Sequence, residues 1–185
     1  AAFTTPKYDT TFSGSGEHAL VEPTAIAVDE ATHDVYVADR TNHRVEKFDS
    51  SGNFISAWGW GVKDGANQYE VCTSSCQAGI RGSGDGQFGN PTGVVVDATG
   101  GILIADQHNY RIRRVDPSGT ITTVAGTGFS GYGMGDGEPA VNVGLNLPTT
   151  LALDAEGGIL VAEMGERRVR RIDPDGTIST VAGDS

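Results

Sequence analysis

The chain has 185 residues, 27 of them glycine, about twice the usual share, with 37% hydrophobic and 20% charged residues. Twenty-four carboxylates against 13 lysines and arginines leave a formal net charge of −11, which argues against a surface that tracks nucleic-acid phosphates. No apolar run reaches the roughly 20 residues of a membrane helix, so no membrane insertion is expected.

Internal repetition organises the chain. Three blocks align almost without gaps, at residues 24–59, 92–126 and 149–183, each preceded by a proline (Pro23, Pro91, Pro148). Their shared aspartates Asp29, Asp97 and Asp154 lie 68 and then 57 residues apart. In chain order, residues 1–22 form an outer strand of a preceding unit plus a connector, because Gly14–Thr24 matches Gly82–Thr92 residue for residue in spacing. The chain starts at Ala1 without an apolar signal segment, as expected of a processed chain or an excised segment. Residues 23–59 form unit one, 60–90 a long connector, 91–126 unit two, 127–147 a second connector and 148–185 unit three.

Within each unit the pattern is four strands joined by turns. The first strand alternates with period two: Ile26, Val94 and Leu151 share one column, and Ala25, Gly93 and Thr150 its opposite face. Small residues there suit a strand crowded near a central axis. The second strands VYVAD, ILIAD and ILVAE are apolar on both faces, as in a sheet sandwiched between neighbours. Third strands begin at Arg44, Arg111 and Arg168. Asp-x-x-Gly segments at 49–52, 116–119 and 173–176 predict type I hairpin turns with glycine at positive φ. Such repeated four-stranded antiparallel units read as β-propeller blades, and the fold class is all-β.

The first block carries PTAIAVD, VYVAD and TNHRVEKF, and these residues resemble the NHL-repeat β-propeller family. Blade one matches the motif at Asp39, Asn42, His43 and Arg44. Blade two keeps Asp106 and Arg111, and blade three departs from it, with Glu163 before Arg168. The resemblance implies that these residues, with the turn aspartates, define blade geometry by bonding backbone groups or pairing between blades. Metal-dependent lyases and lactonases with six-bladed rings are related to the family, so an enzyme with calcium or zinc in its central channel is the alternative reading. The four histidines do not recur at one position in successive blades, so no cofactor is expected outside that alternative.

Three blades do not close a ring. Two readings follow: a segment of a longer propeller, or two copies closing a homodimeric six-bladed ring. The free end faces are expected to offer Ile26, Val28, Val35 and Val37 from blade one and Leu151, Leu153, Ile159 and Val161 from blade three. The connectors carry Trp58, Trp60 and Tyr69 in or near the first and Phe129 and Tyr132 in the second, a candidate binding rim for a protein or small-molecule ligand. Cys72 and Cys76 form a C-T-S-S-C pair whose spacing fits a local disulfide, and with it an extracellular or cell-envelope location; two free thiols are the other reading. SGDGQ and MGDGE lack the alternating oxygens and final glutamate of a calcium loop. Without a nucleophile elbow, a zinc-protease helix or a phosphate loop, the expected function is a non-catalytic binding and structural scaffold.

Overall fold

The structure, a computed structural model, describes residues 19–131 and 135–183. Residues 1–18, which hold most of the segment expected to form the outer strand of a preceding unit, lie outside the described residues. Blade one contains β1 Pro23–Val28, β2 Val35–Asp39, β3 Arg44–Phe48, β4 Phe54–Trp60 and β5 Tyr69–Cys72. Blade two contains β6 Pro91–Val96, β7 Ile102–Asp106, β8 Arg111–Val115 and β9 Ile121–Ala125. Blade three contains β10 Pro148–Leu153, β11 Ile159–Glu163, β12 Arg168–Ile172 and β13 Ile178–Ala182. Each blade is an antiparallel meander with its strands in sequence order.

One strand departs from the four-stranded expectation. The segment YEVC pairs outside β4, with Trp58 opposite Val71 and Ala57 opposite Cys72, and makes blade one five-stranded. A short hairpin places it there, and a small core of Ala57, Val62, Cys72 and Cys76 closes beneath it.

Alternation along the strands divides each blade into a face toward the preceding blade and a face toward the next. Between blades one and two, Tyr36, Ala38 and Val45 meet Val94, Ile102, Ile104 and Val115. Between blades two and three, Leu103, Ala105, Ile112 and Ala125 meet Leu151, Val161, Ile172 and Ile178. A connector side chain plugs each seam: Phe88 in the first and Leu145 in the second, both fully buried. The inner strands crowd the axis as the small residues imply; a Cβ on Gly93 would lie 2.5 Å from the Thr149 carbonyl oxygen.

This arrangement corrects one end-face expectation. Leu151, Leu153, Ile159 and Val161 belong to the seam with blade two, because their strand phase turns them toward the preceding blade. The outer face of blade three instead carries Ala162, Val169 and Ala182. Blade one does present Ile26 and Val28, 68% and 52% exposed, whereas Val37 is buried and Val35 half-buried.

The hairpin turns follow the Asp-x-x-Gly reading. Gly52, Gly119 and Gly176 have φ of +84°, +90° and +88°, and each donates its N–H to the turn aspartate's carbonyl at 3.0, 2.9 and 2.8 Å. A Cβ on Gly176 meets nothing within 4 Å, while one on Gly119 comes within 3.3 Å of Val71 on β5. Positive φ costs a β-branched residue on the order of 1–2 kcal/mol. Gly176→Val should therefore lower the melting temperature by about 2–8 °C, and Gly119→Val by more, because it also crowds the added strand. Thermal melts followed by circular dichroism check the order, and equal losses would contradict the packing of β5 on that turn.

Candidate functional site

The motif carboxylates close each blade onto its connector. Asp39 accepts the backbone N–H of Val21 at 2.8 Å, Asp106 that of Gly89 at 2.7 Å, and Glu163 that of Asn146 at 2.6 Å. Each of those N–H groups lies two residues before the proline that opens the blade. The carboxylates end the second strands and are fully buried or nearly so, so an unpaired N–H or carboxylate here would be costly. Asn42 bridges Asp39 and the Ala19 carbonyl, and Asn109 bridges Asp106 and the Gly82 carbonyl. In blade three Glu166 occupies that position and accepts from Asn146 at 2.9 Å. His43, Tyr110 and Arg167, one position further, all adopt left-handed backbone with φ of about +50°.

The arginines differ between blades. Arg44 pairs with Asp39 at 3.0 Å and Arg168 with Glu163 at 2.8 Å. Arg111 does not do the same in blade two; it reaches the carbonyls of Ser83 and Thr127, and Arg113 approaches Asp106 at 3.6 Å. Sequence reasoning missed the partners that hold the next arginine column. Arg113 meets Asp85 and Arg170 meets Asp136, at 3.5 and 2.8 Å, so the GDG segments of both connectors are arginine clamps. Arg114 and Arg171 pair with Asp97 and Asp154 at 2.6 Å. Burial works to raise Asp97, but hydrogen bonds from Arg114, Thr99 and Gly101 hold it down at about 2.

The axial side of the three inner strands forms a groove of about 480 Å³. Ala, Gly, Val, Leu, Ile and Thr line it. Thr24 donates to the Pro91 carbonyl at 3.1 Å and Thr92 to the Thr149 carbonyl at 3.1 Å, stapling each inner strand to the next. Thr149 turns back to the Ala162 carbonyl at 3.2 Å. Among the described residues no group of three or more His, Cys, Asp or Glu is placed to hold a metal ion. The residues facing this groove therefore do not fit the calcium or zinc site of the enzyme alternative, which needs carboxylate, imidazole or thiolate ligands.

The expected rim is not one surface. Trp58 and Tyr69 converge on the 116–119 turn of blade two: the Tyr69 hydroxyl donates to the Gly119 carbonyl at 3.0 Å, and burial pushes its ionisation well up. Trp60 instead donates to Asn67 inside its own hairpin at 2.9 Å, and Phe129 stands 77% exposed on the second connector. Tyr132 lies outside the described residues. Trp58 stacks on Tyr36 at 5.9 Å between ring centres, and the Lys47 ammonium lies 5.4 Å from the Tyr36 ring centre. With Asp29, Asp116 and Thr99 they line a cleft of about 430 Å³ at the seam of blades one and two. Leu103, Arg114 and Ala125 hold the matching positions of blade two, so this aromatic cleft belongs to blade one. Cys72 and Cys76 form a disulfide that fastens the end of β5.

The fold and its buried network define a β-propeller segment built of four-stranded repeats. The NHL repeat family model matches residues 20–48 and 88–115, which span the plugs, the prolines and the first three strands of blades one and two. Blades one and two thus each carry an NHL repeat, set in a fold of β-propeller blades. Protein brain tumor of Drosophila melanogaster is 28% identical over 135 residues, covering 58% of this chain and 13% of that protein. Protein lin-41 of Caenorhabditis elegans is 54% identical over 43 residues, 23% of this chain and 4% of that protein. The chain thus spans only a small part of these relatives. Among solved structures, a protein of unknown function from Bacteroides thetaiotaomicron superposes with a TM-score of 0.61 at 19% identity, over 86% of this chain and 35% of that one. A gluconolactonase from Xanthomonas campestris gives 0.54 at 19% identity, over 85% and 46%. At such identities the likeness is one of fold.

Glu46 occupies the column of Arg113 and Arg170. Its carboxylate is buried beside Arg44 at 3.0 Å yet neither oxygen accepts a well-aligned hydrogen bond. Burial raises it to about 7, against the opposing pull of Arg44. The folded state then holds a proton that the unfolded chain releases near pH 4.5, so stability falls as pH rises from about 5 to 7. Asp106, raised by burial to about 6, acts in the same direction. Urea titrations between pH 5 and 8 should show this decline, and Glu46→Gln should flatten it while leaving the Asp106 share. Equal pH slopes in the two proteins would contradict the assignment.

Proposed function

We propose that the chain is a non-catalytic NHL-propeller segment that acts as a binding and structural scaffold. The inner strands carry this reading: their axial face offers aliphatic side chains and threonines whose hydroxyls already donate to backbone carbonyls. A hydrolase needs a base or a metal-bound nucleophile at such a place, and this groove supplies neither. The motif carboxylates and arginines are consumed by the blade network, which leaves the aromatic cleft between blades one and two as the surface suited to a ligand or protein segment. An aromatic pair flanked by charges and exposed turn backbone is characteristic of recognition sites. The disulfide supports an extracellular or envelope setting, where such bonds persist.

The experiment is a lactone-hydrolysis assay on the purified chain, with gluconolactone and added calcium, zinc, magnesium or manganese. No turnover above the buffer rate is expected with any of them. Metal-dependent turnover that tracks protein concentration would overturn the scaffold reading in favour of a lactonase.

A further inference from the structure

In blades two and three the aspartate that opens the first hairpin turn has an arginine of its own. Arg114 donates from Nε to Asp97, and Arg171 to Asp154, both at 2.6 Å. A glycine makes room for each pair: a Cβ on Gly101 would run into Arg114 and Asp97, and one on Gly158 into Arg171 and Asp154. The same glycines, each just ahead of the second strand, donate their N–H to those aspartates at 3.0 and 2.7 Å.

Blade one breaks this arrangement. Asp34 stands at the glycine position, its carbonyl accepting the Asp29 N–H at 2.9 Å as the carbonyls of Gly101 and Gly158 accept from Asp97 and Asp154. Lys47 replaces the arginine, and Asp34 captures its ammonium at 2.7 Å. Asp29 keeps the hydrogen bonds of its own turn but, among the described residues, forms no ion pair. Those bonds, the one from the Ala31 N–H foremost, hold it below the usual carboxylate range, so it is charged at neutral pH. Asp116, on the blade-two wall of the aromatic cleft, is held down likewise by the Ser118 hydroxyl and the Thr120 N–H, and it too lacks an ion pair among the described residues.

The cleft of about 430 Å³ therefore sets two unneutralised carboxylates, one from each blade, beside the Trp58–Tyr36 stack. Lys47 does not offset them, because Asp34 already cancels its charge. Trp58 is half-buried, and among the described residues its indole N–H has no acceptor, whereas that of Trp60 is taken by Asn67.

Taking the cleft as the recognition surface, as in the function proposed above, we propose that it binds an arginine side chain of a protein segment. The guanidinium takes the place on Asp29 that Arg114 and Arg171 hold on the matching aspartates. A guanidinium is planar, pairs with a carboxylate through parallel N–H groups and stacks on an aromatic face, while an ammonium offers a point charge. Asp116 supplies a second negative charge from the other wall. The Trp58 N–H suits a backbone carbonyl beside the arginine, which favours a peptide over a free cation.

The test is a titration of the full chain with acetyl-Gly-Arg-Gly-amide, followed by nitrogen-15 NMR on the signals of its two indoles, with Trp60→Phe to assign them. The Trp58 indole and the amides of residues 116–119 should shift saturably, and binding should weaken as salt rises from about 50 to 500 millimolar. A lysine peptide should bind about threefold more weakly, and a neutral citrulline peptide about tenfold. Asp29→Asn and Asp116→Asn keep an oxygen for the turn hydrogen bonds and should each weaken binding about threefold. Asp34→Gly with Lys47→Arg rebuilds the arrangement of blades two and three, gives Asp29 an arginine of its own and should abolish binding while the rest of the spectrum stays that of the parent. If that double variant does not fold, the two asparagine variants decide. A peptide that leaves Trp58 unmoved would overturn the proposal. Equal binding of the arginine and citrulline peptides, or full binding by the asparagine variants, would overturn the guanidinium as the group recognised. None of these results touches the scaffold reading, which falls to lactone turnover instead.

Discussion

A backbone N–H just before a proline has few ways to be satisfied once it is buried between two sheets. The proline itself donates nothing, and the residue before it is held away from the right-handed helical region. Here Glu22, Asn90 and Leu147 occupy that position with φ of +56°, +62° and +51°. The chain enters each blade through this left-handed corner, and the carboxylate at the end of the second strand catches the N–H one residue further back. Asp39, Asp106 and Glu163 thereby fix the plug residue, the inner strand and the second strand relative to one another. Removing one of them would leave a backbone donor unsatisfied, and in blades one and three would take one ion-pair partner from a buried arginine, the kind of loss that destabilises strongly.

Much of this architecture could be read from the chain because its signals are local and repeated. Prolines, aspartates and Asp-x-x-Gly turns recur at fixed spacing, and each sets a corner whose geometry depends on a few neighbouring residues. The disulfide was legible for the same reason: Cys72 and Cys76 are four residues apart. Strand β5 was not, because YEVC offers only two steps of alternation inside a segment rich in glycine and serine, and its pairing with β4 depends on how the intervening residues 61–68 turn back. The arginine partners were hidden differently. Arg111 and Arg113 lie two apart on one strand and so point to the same face, and only the backbone position of Asp106 decides which approaches it. Likewise, Asp85 and Asp136 sit in loops whose composition suggests cation binding, while their guanidinium partners lie 28 and 34 residues onward.

The candidate site was legible only in part. Aromatic residues gather in the connectors, which drew attention to Trp58, Trp60, Tyr69 and Phe129, but composition does not say which of them share a surface. Trp58 lies on β4 with its side chain toward blade two, and Tyr69 lies on β5, so both reach the 116–119 turn. Trp60, two residues from Trp58, shares its strand face, yet the end of β4 has passed the neighbouring blade by then and its indole closes the hairpin instead. Strand phase and strand length together separate one aromatic cleft from a scatter of aromatic side chains.

Blade one is the place where repetition is broken, and the breaks cluster. It exchanges a leucine for Tyr36, an alanine for Trp58 and an arginine for Glu46, and it adds a fifth strand with a disulfide at its end. The first two changes open an aromatic cleft on the face toward blade two without disturbing the apolar positions beneath it, Ala38 and Val45, which still seat Phe88. The third change falls on the opposite face, where the positive column of the other blades becomes a carboxylate poised near neutral pH. The fifth strand then braces the cleft from outside, because Val71 and Tyr69 pack on the same turn that closes its far wall. A repeat scaffold makes such divergence tolerable. Each seam is held by its own plug, carboxylate and staple, so one blade can diverge into an aromatic cleft while its neighbours keep the geometry that positions it.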